Sequence, residues 1–151
     1  MLGELSSDQI EQLLLRQVIA RIGCYSNKKV YVVPITFVYE KGSIYAHSRE
    51  GLKIKMMRKN PDVCVQLDEI DNMANWRSVI VWGRFEELGS LEEQQRGMEI
   101  LMNKLAPLIT SETVTPSHGL QKPPLTVEKA KRTVVYRIKV SKTTGRFEKT
   151  H

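Results

Sequence analysis

The residues whose types and spacing suit chemistry are gathered in one short stretch, His47-Ser48-Arg49-Glu50-Gly51-Leu52-Lys53. It lies where a strand-like run gives way to a helical period. A helix start exposes backbone N–H groups and a partial positive charge, so it attracts anions. Ser48 can serve as the N-cap or donate its hydroxyl to a phosphate, and Lys53 supplies a full positive charge close by. A plain capped helix with a solvated lysine accounts for the same residues. Elsewhere the sequence has no glycine-rich phosphate loop, no nucleophile elbow and no pair of histidines at metal spacing. His47, His118 and His151 are scattered, so no metal site is expected. Any chemistry would arrive with a bound cofactor.

The elements that must position this stretch can be read in order. Ser6 followed by Gln9 is a capping-box pattern, and Ile10, Leu13 and Leu14 then share a helical face. Val18 to Tyr25 reads as a strand ending at the turn Ser26-Asn27-Lys28-Lys29. Val30 to Glu40 is rich in β-branched and aromatic residues, and Lys41-Gly42 turns it back into Ser43 to His47 as a tight hairpin. Pro34 cannot donate to a ladder, which puts it at an edge, at a bulge or beside a ligand. Ser48 to Lys59 takes a helical period with Leu52, Met56 and Lys59 aligned, and Asn60-Pro61 stops it. Strands follow at Asp62 to Ile70 and Arg77 to Leu88, then a helix over Leu91 to Leu105 opened by Ser90 and Glu93. A long loop is expected at 109–124, and a last strand at Thr133 to Val140 whose tail runs on to Phe147. About six antiparallel strands with marginal helices suggest a closed or partly open barrel.

Composition sets the frame. A chain of 151 residues with 41% hydrophobic and 26% charged residues is the size and make-up of one globular domain, here taken as 1–151. No apolar run is long enough to span a bilayer, and Met1 to Gln9 does not read as a signal peptide, so a cytoplasmic protein is expected. Cys24 and Cys64 read as small core hydrophobes. The net charge of +6 comes from clusters such as Lys53/Lys55/Arg58/Lys59 and Lys129/Lys131/Arg132 inside structured segments. A solvated face or a phosphate-bearing small ligand explains these as well as a nucleic acid does, and the charge is not arranged as a nucleic-acid arm. Trp82 and the aromatics Tyr31, Phe37 and Tyr39 read as barrel core, while Trp76, after a polar turn, is placed to meet a ligand or a partner subunit.

Four fragments, in this order and spacing, carry a resemblance: Val33-Pro34-Ile35-Thr36-Phe37-Val38-Tyr39, Ile44-Tyr45-Ala46-His47-Ser48, Glu50-Gly51-Leu52-Lys53 and Asn60-Pro61-Asp62-Val63-Cys64. The later strand Arg77-Ser78-Val79-Ile80-Val81-Trp82-Gly83 extends it. Together they resemble the FMN-binding split-barrel superfamily, and within it the pyridoxamine-phosphate-oxidase-like branch that includes nitroimidazole-resistance proteins. The resemblance implies a mainly β, antiparallel split barrel with flanking helices, FMN as cofactor, and a homodimer that completes the flavin groove. It implies that Val33, Pro34, Ile35, Thr36, Phe37 and Val38 line the isoalloxazine. His47 and Ser48 would lie near the ribityl phosphate with Lys53 as its counter-charge. Ser78 and Val79 would touch the flavin, and Trp76 or Arg77 would close the pocket. His47 is then a proton donor, a ligand contact or a phosphate-side hydrogen bond. Electrons would pass from NAD(P)H to a small organic acceptor, or the same barrel would hold flavin or haem without catalysis. Two departures stand out: Leu52 occupies a position often polar in the family, and no C-terminal arginine and histidine motifs follow Thr133.

Overall fold

In the computed structural model, which describes residues 1–108 and 133–150, the first helix begins where its capping box predicts. Ser6 accepts from the Gln9 backbone N–H, the Gln9 side chain accepts from the Ser6 N–H, and helix α1 covers Ser7–Arg16. Its Ile10, Leu13 and Leu14 are buried. Strands β2 (Ile19–Ser26) and β3 (Lys29–Thr36) form a hairpin whose two turn residues, Asn27 and Lys28, have φ of 51° and 62°. Strands β4 (Val38–Glu40) and β5 (Ser43–Ser48) form another, turning at Lys41 and Gly42 with φ of 48° and 79°. Positive φ at both central residues matches the right-handed twist of the flanking strands. Helix α2 (Leu52–Lys59), strands β6 (Asp62–Asn72) and β7 (Asn75–Glu87), helix α3 (Leu91–Leu105) and strand β8 (Val134–Glu148) complete the described chain, with β1 (Leu2–Glu4) at its start.

The described strands number eight rather than the expected six or so, for two reasons. Strand β1 is too short to show a period, and the stretch Val30 to Glu40 is interrupted at Phe37. All pairings are antiparallel, in the order β3-β2-β6-β7-β8-β5-β4, with β1 added on β8. Strands β3 and β4 thus lie at the two ends of the ladder, although only Phe37 separates them along the chain. The sheet therefore rolls toward closure without pairing its edges, which leaves a barrel split where β3 comes near β5. The Phe37 N–H leaves the ladder and donates to the Val18 carbonyl at 2.9 Å. Pro34 is on the edge strand β3, as its missing N–H requires.

Two apolar clusters hold the fold. The larger fills the barrel and is capped by α1 and α2, with Leu13, Ile22, Phe37, Ile44, Met57 and Ile138 fully buried. The smaller packs α3 on the sheet through Met98, Leu101 and Val135. The long strands β7 and β8 bend at a register shift beside Trp82 and Gly83. A Cβ at Gly83 would stand 2.6 Å from the Lys139 carbonyl oxygen, so only glycine fits the bend. Cys24 and Cys64 are free thiols, the first in the core and the second half-buried. Tyr31 and Tyr39 pack against the core, as expected. Trp82 does not: it is 38% exposed on the outer sheet face, with the Lys142 ammonium 5.5 Å above its ring. The even-numbered positions of β7 face outward, whereas those of β5 face inward. The segment 109–124, with His118, falls outside the described residues.

Phe37→Ala should lose about 3–5 kcal/mol of stability in urea denaturation, because it removes a fully buried ring at the junction. Tyr136 gives the contrast: its hydroxyl is buried without a hydrogen-bond partner among the described residues, and burial pushes its pKa up. Tyr136→Phe should leave stability unchanged or raise it by up to about 1 kcal/mol. A clear loss would contradict this account of the hydroxyl.

Candidate functional site

Strand β5 alternates its side chains between the two faces of the sheet. Ile44 and Ala46 enter the main core, and Ser48 shares their face. Tyr45 points the other way, toward α3, where its hydroxyl meets Arg137. His47 shares the Tyr45 face. Adjacent in sequence, His47 and Ser48 therefore point to opposite sides of β5, and only Ser48 turns toward Lys53.

The helix does not begin at Ser48. Ser48 ends β5, Arg49 and Glu50 form a loop, and the N-cap of α2 is Gly51, which has no side chain to cap with. The expected role of Ser48 as N-cap is thus overturned, because the strand pairing with β8 holds it through Val134. The helical face also differs from the expected one: Ile54, Met56 and Met57 are buried, while Leu52 is exposed. Ile54 and Met57 stand three residues apart on one helical face, and that face, not the one bearing Leu52, turns to the core. The first-turn amides of α2 are left without a side-chain cap, which suits an anion.

Lys53 lies in that first turn. Its ammonium donates to the Ser48 hydroxyl at 2.8 Å, and that hydroxyl in turn donates to the Arg49 carbonyl at 2.8 Å. Ser48 thus spends its proton on the loop and its lone pair on the lysine, so it orients the cation. Among the described residues no carboxylate pairs with Lys53. Burial pushes its pKa down, opposed only by the neighbouring Cys24 thiol. A half-buried cation with no counter-charge among the described residues, beside the start of a helix, fits a phosphate.

The loop carrying these groups is fastened by Arg58. Its guanidinium donates to both oxygens of Glu50, at 2.6 and 2.8 Å, and to Glu87 at 2.7 and 3.1 Å. At the other end of α2, the Asn60 side chain donates to the Tyr25 carbonyl at 2.9 Å and so ties the helix to the β2–β3 hairpin. Arg58 was read from sequence only as part of a basic cluster. Its partner Glu87 is distant in the chain, and no local pattern signals the pair.

The strand run 33–38 divides by face and by cluster. Val33, Ile35 and Phe37 pack inward, Val38 joins the α3 cluster, Pro34 is exposed and Thr36 half-buried. This run crosses the split, where β3 comes near β5. The β3 run and strand β5, whose last residue is Ser48, thus lie near one another at the split. The second predicted group lies on β7. Val79 is fully buried, Arg77 is exposed, and the Trp76 indole N–H donates to Glu148 at 3.1 Å. Ser78 faces outward and receives a 3.0 Å hydrogen bond from the Gln66 side-chain amide. No described hydrogen bond joins the β7 group to the Ser48–Lys53 group. Gln66 and Asp68, which share the outer face of β6, were not singled out from the sequence. Their alternation with Val65 and Leu67 signals that face, but not the cross-strand partner.

A sequence profile of the family described as pyridoxamine 5'-phosphate oxidase matches residues 6–147. An uncharacterized protein of Rhizobium meliloti is 34% identical over 84 residues, a match covering 56% of this chain and 56% of that protein. The chain thus spans only about half the length of that curated relative. Among solved structures, an FAD-binding protein from Mesorhizobium loti superposes with a TM-score of 0.78 at 28% identity, covering 99% of each chain. A candidate 5-nitroimidazole antibiotic resistance protein from Bacteroides thetaiotaomicron gives 0.76 at 21% identity, covering 97% of this chain and 87% of the other.

The half-buried lysine makes a signed prediction for the ligand-free protein. A depressed lysine pKa means that the unfolded chain binds the proton more readily than the folded one. The cost is fully present below the folded value and fades as pH rises toward the ordinary lysine range. Lys53→Met should therefore melt higher than the parent at neutral pH, and the gap should close in alkaline buffer. A lower melting temperature for the variant across the whole range would refute the desolvation argument.

Proposed function

Because the chain belongs to the pyridoxamine 5'-phosphate oxidase family, we propose that it is a flavoprotein that binds FMN and passes electrons to a small organic acceptor. The observation that carries this reading is the Lys53 ammonium, half-buried, oriented by Ser48 and without a carboxylate partner among the described residues. A terminal phosphate supplies the missing charge, and the first-turn amides of α2 supply donors. Bound FMN supplies two-electron redox chemistry between a nicotinamide donor, NADH or NADPH, and an acceptor such as a nitroaromatic compound.

The protein's own part is to bind, orient and shield. Lys53 holds the phosphate end, Arg58 keeps the Ser48–Gly51 loop in place, and the edge backbone from Val33 to Val38 offers hydrogen bonds to the ring. His47, an imidazole able to give or take a proton near neutral pH, serves the substrate side in this reading. Its position on the face opposite Ser48 supports that role over a phosphate contact. Trp76 and Arg77 border the groove on β7.

The outer sheet face supports a homodimer. Tyr25, Val30, Val32 and Trp82 form an exposed apolar stripe across β3, β2 and β7, with Cys64 of β6 between them. A second copy would cover it and add its own β7 group to the groove. The names of the Mesorhizobium loti and Bacteroides thetaiotaomicron proteins support a flavin and a nitroaromatic substrate class respectively.

The test is visible absorbance after incubation with FMN and removal of excess by gel filtration, with FAD run in parallel. The expected result is a retained flavin band, stronger with FMN, on a particle sedimenting as a dimer, and its loss in Lys53→Glu. No retained flavin at micromolar FMN would sink the reading. Retention of FAD alone would replace the cofactor.

A further inference from the structure

On the outer face of the sheet, a chain of hydrogen bonds runs from β2 through β6 to β7. An Arg21 guanidinium nitrogen lies 3.5 Å from a carboxylate oxygen of Asp68, and the same oxygen accepts from the Gln66 side-chain amide at 3.0 Å. The Gln66 nitrogen also lies 3.0 Å from the Ser78 hydroxyl oxygen. The strands hold these partners in place: Arg21 pairs with Gln66, and Asp68 pairs with Ser78.

The chemistry of the end groups fixes the direction of every bond. A carboxylate oxygen only accepts, so the Gln66 atom facing Asp68 must be its NH2 group. The remaining proton of that NH2 points at Ser78, which makes the serine oxygen an acceptor. Its own proton is left to be donated, and none of the described residues receives it. Ser78 is therefore preset as a donor aimed away from β6, whereas an unrestrained serine rotates to give or accept as its neighbours require.

We propose that Gln66, held by Asp68, fixes the Ser78 hydroxyl as a hydrogen-bond donor to an acceptor on the isoalloxazine or ribityl portion of the flavin. This rests on the flavin reading above and adds a positioning residue to it. The phosphate end is assigned to Lys53, on another element, which leaves the part common to FMN and riboflavin for Ser78. Arg146 stands opposite Ser78 on β8 and is exposed, so a phosphate contact here is the competing outcome.

The experiment titrates the full-length protein with FMN and with riboflavin, reading flavin fluorescence and the position of the visible band. The variants are Ser78→Ala, Ser78→Thr, Gln66→Met and the double change Gln66→Met with Ser78→Ala. Ser78→Ala should weaken both ligands about tenfold, the loss of one hydrogen bond to a ligand. Ser78→Thr keeps the hydroxyl and should restore binding. Gln66→Met should weaken both about threefold and shift the band in the same direction, yet cost nothing further on the Ser78→Ala background. Equal losses from Gln66→Met on both backgrounds would overturn the proposal, since the glutamine would then act without the serine. A Ser78→Ala loss confined to FMN would overturn it in favour of the phosphate, and unchanged affinities would overturn it outright. A parent protein that binds neither flavin removes the underlying reading as well, and is recognised before any variant is made. Melting temperatures of the same samples separate lost contacts from lost folding.

Discussion

Phe37 is the residue on which the architecture turns. One amino acid joins strands that lie at opposite ends of the ladder, so the chain has no slack with which to leave them apart. The sheet has to roll, and rolling encloses the larger apolar cluster. The N–H of Phe37 is withdrawn from the ladder and donated to Val18, while its ring is fully buried. Polar satisfaction and apolar burial at this one position therefore act in the same direction. The split that results is where β3 comes near β5, the strand that ends in Ser48, so the feature that shapes the fold also bears on the candidate site.

Much of this was legible in the sequence because the signals are local. Capping boxes, two-residue turns, the period-2 runs and the edge placement of Pro34 depend on residues within a few positions of one another. The start of α2 was read three residues early for the same reason. Ser48 looks like a cap until its pairing with Val134, far away in the chain, claims it for the strand. Trp82 misled in the opposite way: an aromatic residue amid Val79, Ile80 and Val81 suggests core, but the pleat alternates, and its turn falls outward. The break at Phe37 is not visible in a run that is uniformly β-forming, since what interrupts it is a tertiary partner.

The candidate site shows the same division. Lys53 and Ser48 were found because the strand-to-helix junction brings them together over five residues, and they do meet. What surrounds them was not accessible. The Arg58 fork joins side chains from three segments, and the Gln66–Ser78 bond depends on the β6–β7 register. Groups that bind by type are thus written locally, whereas groups that orient them are written across strands. That is physically reasonable, since orientation needs a second point of support that a single segment cannot provide.

Strand β1 is only three residues long, yet it is fastened on both sides, with the Leu5 N–H donating to the Gly145 carbonyl at 2.9 Å. Met1 donates to the Lys149 carbonyl at 2.7 Å, and Lys149 donates back to the Met1 carbonyl at 3.0 Å. The pairing of β1 with β8 thus runs on one residue pair beyond Leu2 and Glu148. The Phe147 ring stands where a side chain on Gly3 would be, so lifting β1 away would uncover an aromatic ring as well as the β8 backbone. A force applied at Met1 is therefore borne by the longest strand of the sheet and not by a loose end.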